Sequence, residues 1–296
     1  MTDVNEQSFS AGGANIPTPA HRPKSLRQRI PTPRWRFRPT LQPVSVVKTI
    51  KTQIIPKIVL ALRSAPAVKS TPKTQTAPTQ LEIFSALTLG ADDGAAFAYV
   101  LELLAKGTSV ESIFLELLAP AARLLGEQWE TDATDFASVT LGVGRLQLIM
   151  RRLGDRFAEE ASGIHSGESV LLTIIPGEQH SFGLSMVAEF FRREGWNLCT
   201  GPFESHQELT SLVHNHWFDI IGFSVSSERR LDELKKDIHD IRRDSRNRRV
   251  GIILGGPMVV AQPDLVASMG ADMMSADAAT APQQAHGLIE LMKGQK

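Results

Sequence analysis

Between residues 168 and 292, five short apolar runs alternate with longer amphipathic stretches, and this rhythm restricts the fold more than any other feature of the chain. The runs are "SVLLTII" (169–175), "WNLCT" (196–200), "DIIGFSV" (219–225), "RVGIILGG" (249–256) and "ADMMSAD" (271–277). Helical patterns such as "SFGLSMVAEFFRREG" (181–195) and "ERRLDELKKDIHDIRRDS" (228–245) separate them. Short runs without polar alternation read as strands buried on both faces. Their alternation with helices implies a parallel sheet covered on each side. The expected class is α/β, with a five-stranded, flavodoxin-like (Rossmann-like) parallel-sheet domain over 168–292. Ligands of such sheets bind beyond the carboxyl ends of the strands, near the switch in strand order.

Three loops are expected at that edge: "PGEQHSFG" (176–183), "SVSSE" (224–228) and "GGPM" (255–258). They bring one imidazole (His180), one carboxylate (Glu178), the hydroxyls of Ser224 and Ser226, and glycines 183, 255 and 256. No Gly-x-Gly-x-x-Gly or Walker pattern accompanies them, so nucleotide-phosphate binding has little support. No second His or Cys stands at metal-ligand spacing, whereas zinc needs about four ligands. Taken alone, His180 reads as a base, a ligand or an ordinary loop residue. A single imidazole suffices as a ligand only if the metal arrives in a macrocycle that supplies the others. Glu178 could then accept the Nδ1 proton and leave Nε2 to coordinate. Gly255 and Gly256 also fit simple relief of crowding at a strand end.

Residues 80–160 read as a helical bundle. Ala96, Tyr99, Val100, Leu103 and Leu104 share one helix face, which Gly107 is expected to stop. "TSVE" suggests a capping box from Thr108 to Glu111. Ile113, Leu117, Leu124, Leu125 and Trp129 extend the next face, with a kink or restart expected at Pro120. A further helix runs from about Asp135 through Val139, Val143, Leu146 and Met150, giving four helices in all.

Residues 1–79 form a basic, Pro-rich arm. Up to residue 77 it holds 13 Lys/Arg against Asp3 and Glu6, and 10 of the 17 prolines. The arm is expected to be disordered, apart from a short amphipathic segment at 49–63. A basic arm on an acidic body suits docking on that body, on nucleic acid or on an acidic partner. Cys199, the only cysteine, is expected in the core. No apolar run is long enough to span a membrane and no signal-peptide pattern opens the chain, so the expected location is the cytoplasm.

"ExHxxG", read with "GFS" (222–224) and "LGG" (254–256), resembles the cobalamin-binding domain whose usual loop is Asp-x-His-x-x-Gly. The ordered series "LLAPAARLLGEQWETDATDFASVTLGVGRLQ", "PGEQHSFG", "FFRREGW", "DIRRDSRN", "GGP" and "GAD" is similar to the cobalamin-dependent antirepressors AerR and PpaA of purple photosynthetic bacteria. The similarity covers roughly residues 50–292. It implies cobalamin as cofactor, in the adenosyl or hydroxo form, with His180 as lower axial ligand to cobalt and Glu178 as its partner. It further implies that Gly183 opens the slot for the cofactor's nucleotide tail, with Ser224, Ser226, Gly255 and Gly256 along it. The bundle is then a cap over the upper face, with Trp129 as a contact. The partner implied is a repressor of the CrtJ or PpsR type, and light acts by changing the axial ligands.

Two departures bear on mechanism. Glu178 stands where the family usually has Asp, and Arg230 falls near the serine that completes a proton relay in methyl-transferring relatives. The segment "DATDFASVTLG" also lacks the histidine that related light-sensing repressors carry for the upper face, which leaves His165, His206, a partner or water for that place. Two other readings stay open: a corrinoid methyl carrier for separate methyltransferase subunits, and a DNA-binding regulator acting through the basic arm.

Overall fold

The computed structural model of this protein describes residues 79–160, 167–178 and 180–294. The basic arm, its 49–63 segment and His165 lie outside the described residues.

The helical part opens with α1 (Gln80–Leu89), fixed by a reciprocal capping box between Thr79 and Glu82. α2 (Ala95–Ala105) buries Ala96, Val100 and Leu104 and packs Tyr99 and Leu103 at the margin of the same core. Gly107 ends α2 at φ +92°; its N–H donates to Leu104 O and that of Thr108 to Leu103 O, the Schellman arrangement that glycine favours. The next helix begins one residue later than the sequence suggests. Ser109, not Thr108, is the cap, and its hydroxyl accepts from Ser112 N at 3.1 Å. This helix runs as α3 (Val110–Ser112), a π-helical turn (Ile113–Leu118) and α4 (Ala119–Glu130). The wide turn ends at Leu118, two residues before Pro120. A residue without an N–H, whose ring crowds the preceding turn, is accommodated by opening that turn rather than by breaking the helix. α5 (Phe136–Glu159) is capped by Asp135 on Ser138 N and buries Leu146, Ile149, Met150, Leu153 and Phe157.

The sheet follows as β1 (Ser169–Ile174), β2 (Asn197–Thr200), β3 (Ile220–Ser224), β4 (Gly251–Gly255) and β5 (Met273–Ser275). All pairings are parallel, in the order β2-β1-β3-β4-β5. This is the flavodoxin-like arrangement, whose switch point lies between β1 and β3. Its helices are α6 (Phe182–Arg193), α7 (His206–Asn215), α8 (Leu231–Asp244, after a 3-10 turn at Glu228–Arg230), α9 (Pro257–Ala261), α10 (Leu265–Met269) and α11 (Ala281–Gly294). His214 and Asn215 end α7, and Trp217 lies beyond it, donating from Nε1 to Asp219 at 3.0 Å. Cys199 is buried in β2, and that burial pushes its thiol up to about 11.

The bundle and the sheet share α6. Its Met186 and Phe190 belong to the bundle core, while Leu184, Ala188 and Phe191 belong to the sheet core. Gly154 permits the close contact of α5 with α6, because a methyl there would lie 2.7 Å from a Glu189 carboxylate oxygen. Phe157 is fully buried between Phe114 (ring centroids 4.9 Å apart) and Phe190 (5.0 Å, edge-on), with the Arg193 guanidinium 4.7 Å above its ring. Arg193 also pairs with Glu111 at 2.5 Å. Burying one such ring contributes about 1.5–3 kcal/mol, so the bundle is a packed extension of the sheet domain.

Candidate functional site

The pairing register levels the carboxyl ends of four strands. Ile174 of β1 lies beside Ser224 of β3, which lies beside Gly255 of β4, which lies beside Ser275 of β5. The loops following these strands therefore issue from one edge, as the sequence pattern requires. Ser224, Gly255 and Gly256 are half-buried there, and Ser226 lies two residues past the end of β3.

The loop after β1 begins with a tight turn. Glu178 N donates to Ile175 O at 2.9 Å, and Gly177 between them takes φ +84°. Proline second and a left-handed glycine third are the type II β-turn arrangement. The turn leaves the Glu178 side chain mostly buried, 10 % exposed, and the His180 ring mostly exposed, 67 %. The two meet: His180 Nδ1 donates to Glu178 Oε1 at 2.5 Å, and the same oxygen accepts from His180 N at 3.3 Å. A carboxylate tied to Nδ1 fixes the ring's orientation and the tautomer that carries its proton there. Nε2, across the ring, is left as the basic nitrogen.

Gly183, in the first turn of α6, is exposed, and a methyl on it would meet nothing within 4 Å. Space therefore lies open around Gly183 at the start of α6. Gly256 differs. It has φ +97°, and a Cβ there would lie 2.5 Å from Val225 O and 2.8 Å from Val225 N. Close approach of the β3 and β4 loops, seen also in Val225 N donating to Gly255 O at 2.8 Å, makes glycine obligatory at this position. Crowding at the strand end thus accounts for Gly256 on its own. At Gly255 a Cβ would lie 3.0 Å from Ser275 O, a milder constraint of the same kind.

Trp129 is not part of the bundle core. It is 47 % exposed and pairs with Phe136, itself 68 % exposed, at a centroid distance of 6.2 Å. The sequence reading passed over Phe136, the first residue of α5.

His206 is not a free ligand. Its Nδ1 is held by Asp237 and its Nε2 lies 2.9 Å from Asp240, so both ring nitrogens are engaged. Burial raises the pKa of Asp237, with the hydrogen bond and charge of His206 opposing that rise. His206 and Asp237 line a cavity of about 270 Å³ together with Pro176, Glu204, Ser205, Glu233 and Lys236. A larger hollow of about 710 Å³ lies between β5 and α11 and contains none of the site residues.

The sequence also left one contact at the site unseen. Arg230 Nη1 donates to Pro176 O at 3.1 Å and pairs with Glu233 at 2.8 Å. The two loops it joins are 54 residues apart in the chain, and no local pattern announces such a contact.

Among the described residues, no group of three or more His, Cys, Asp or Glu side chains could hold a metal ion. One oriented imidazole fits a metal that brings its other ligands with it. Residues 168–285 match the family model described as B12 binding domain. The chain is also 29 % identical, over 176 residues, to an uncharacterized 20.5 kDa protein in the bchF-crtJ intergenic region of Rhodobacter capsulatus. That match covers 60 % of this chain and 91 % of the relative. Both matches accord with the resemblance to AerR and PpaA read from the sequence. Among solved structures, the monomethylamine corrinoid protein of Methanosarcina barkeri shares the fold. Its TM-score is 0.58 at 15 % identity, over 71 % of this chain and 97 % of that one. No helix among the described residues is long and apolar enough to cross a membrane.

Proposed function

We propose that the chain binds cobalamin at the carboxyl edge of its sheet and acts as a light-responsive antirepressor of a CrtJ/PpsR-type repressor. The observation that carries the cofactor part is the His180–Glu178 pair, 2.5 Å apart, on a mostly exposed ring within the region that matches the B12 binding domain. In this reading His180 is the lower axial ligand, and Glu178 holds the ring and strengthens the donor. The space over Gly183, with Ser224, Ser226 and Gly255 nearby, takes the nucleotide tail. Gly256 contributes by letting the β3 and β4 loops close up. Trp129 and Phe136 form an apolar surface for the cofactor's upper side, which fits their exposure in an otherwise well-packed bundle. With both its nitrogens taken, His206 supplies no upper ligand. When bound, the group would supply the light-responsive chemistry at its metal, while His180 and Glu178 would hold and orient it.

The regulatory part rests on the relative, whose gene neighbours crtJ, and on the AerR/PpaA similarity. The chain itself is proposed to carry out no reaction, with the native form of the cofactor either adenosylcobalamin or hydroxocobalamin. The arm of residues 1–79 is proposed as an added contact with DNA or with the repressor. The purified chain, loaded with hydroxocobalamin, should retain a CrtJ/PpsR-type repressor on an affinity column and release it from promoter DNA in a mobility-shift assay. Methyl transfer from a cognate methyltransferase to the bound corrin would instead identify a carrier. Direct, salt-sensitive DNA binding lost on removal of residues 1–48 would identify a DNA-binding regulator.

A further inference from the structure

We infer that Arg230 is a positioning residue for the axial-ligand loop, locking the turn that sets where Glu178 and His180 stand. The inference rests on the cobalamin reading of His180 and adds a residue to it. In the turn from Ile175 to Glu178, the peptide joining Pro176 to Gly177 is the unit whose orientation separates a type II from a type I turn. Its carbonyl, Pro176 O, is the group that receives the Arg230 hydrogen bond at 3.1 Å. The guanidinium also lies flat against Gly177. A Cβ on that glycine would be 3.0 Å from Nη1, 3.1 Å from Nη2 and 3.2 Å from Cζ. Glycine at 177 thus serves two needs at once, a left-handed φ and room for the arginine.

Glu233, one turn into α8, pairs with Arg230 at 2.8 Å and steadies it from the other side. The α8 entry is thereby tied to the β1 loop across the switch point of the sheet. Side chains of Arg230 and Glu233 are 37 % and 56 % exposed, so their ion pair adds little to stability. Its consequence is geometric. If the turn is released from Arg230, the Glu178 carboxylate is freer to leave its place beside Nδ1, and the imidazole then loses the orientation which that carboxylate sets.

The test uses full-length protein labelled with ¹⁵N-histidine and loaded with hydroxocobalamin, then reduced to Co(II). The hyperfine splitting of the cobalt EPR signal reports whether an imidazole nitrogen from the protein is bound. Wild type, Arg230→Lys, Arg230→Ala, Glu233→Gln and His180→Ala are compared, and the cofactor-free melting temperature of each serves as the folding control. Wild type should show the ¹⁵N splitting. Arg230→Ala should melt as wild type does, yet bind through histidine about tenfold more weakly, the scale of loss seen when an outer-shell partner of a metal ligand is removed. Arg230→Lys, which can still donate to Pro176 O, should recover part of that loss. Glu233→Gln should lose less than Arg230→Ala. Histidine binding in Arg230→Ala equal to that of wild type would overturn the positioning role and leave the cobalamin reading intact. Absence of ¹⁵N splitting in wild type itself would overturn the cobalamin reading, and this inference with it.

Discussion

Two histidines of this chain stand shortly after neighbouring strands, and each is paired to a carboxylate, yet they are built for opposite ends. His206, following β2, is gripped on both nitrogens by Asp237 and Asp240, residues 2 % and 9 % exposed. His180, following β1, has one nitrogen tied to Glu178, and its ring is mostly exposed. A histidine with both nitrogens engaged joins helices; α7 and α8 meet through His206. A histidine with one nitrogen engaged is oriented and still has something to offer. What separates a structural imidazole from a ligand is therefore the number of ring atoms left unused, and the mere presence of a carboxylate beside the ring does not decide it.

The largest effect that sharpens this contrast is expected at His206. His206→Ala takes away the side chain that pairs with the buried Asp237, and should cost about 3 kcal/mol in urea unfolding at neutral pH. The loss should depend on pH in a defined sense. Burial raises the Asp237 pKa in the folded state, and loss of His206 removes the groups that oppose the rise. The folded variant then takes up a proton more readily than the unfolded chain, so its deficit is full at neutral and alkaline pH and shrinks as the pH falls. A deficit that grows on acidification would contradict this account of Asp237.

Next in size is Gly177→Ala, which forces a side chain into a left-handed turn and against the Arg230 guanidinium. A loss of about 1–2 kcal/mol is expected in the same assay. Weaker histidine coordination should accompany it, because the turn under His180 is disturbed. The smallest change in stability belongs to His180→Ala. An exposed ring on a loop should leave the unfolding free energy within about 0.5 kcal/mol of wild type. If His180→Ala proved as damaging as His206→Ala, the contrast between the two histidines would collapse.

Much of the sheet was legible because its physics is local. Buried parallel strands must be short and apolar, so "SVLLTII" and "DIIGFSV" announced β1 and β3 to within a residue or two. Flanking turns and caps then set the edges of α5 and α6. The π-helical turn was not foreseen. A proline inside an apolar face says that the hydrogen-bond ladder must give way, not how it will do so. Within the site, the reach of Glu178 to Nδ1 could be read from a separation of two residues. The bracketing of His206 by α8 and the Arg230–Pro176 bond join residues 31 to 54 positions apart, through contacts that only the folded chain creates. Trp129 shows the same limit from the other side: its spacing matched a buried face, but the end of α4 carries it into solvent beside Phe136.

The central claim is that His180 binds the cobalt of a corrin, and the visible absorption spectrum tests it most directly. Wild type and His180→Ala are each mixed with hydroxocobalamin and with adenosylcobalamin, in darkness and after illumination, then freed of unbound cofactor. Wild type should retain a corrin whose spectrum differs from that of the free cofactor, and His180→Ala should lose that difference while folding normally. Identical spectra from the two proteins, matching the free cofactor, would contradict the account.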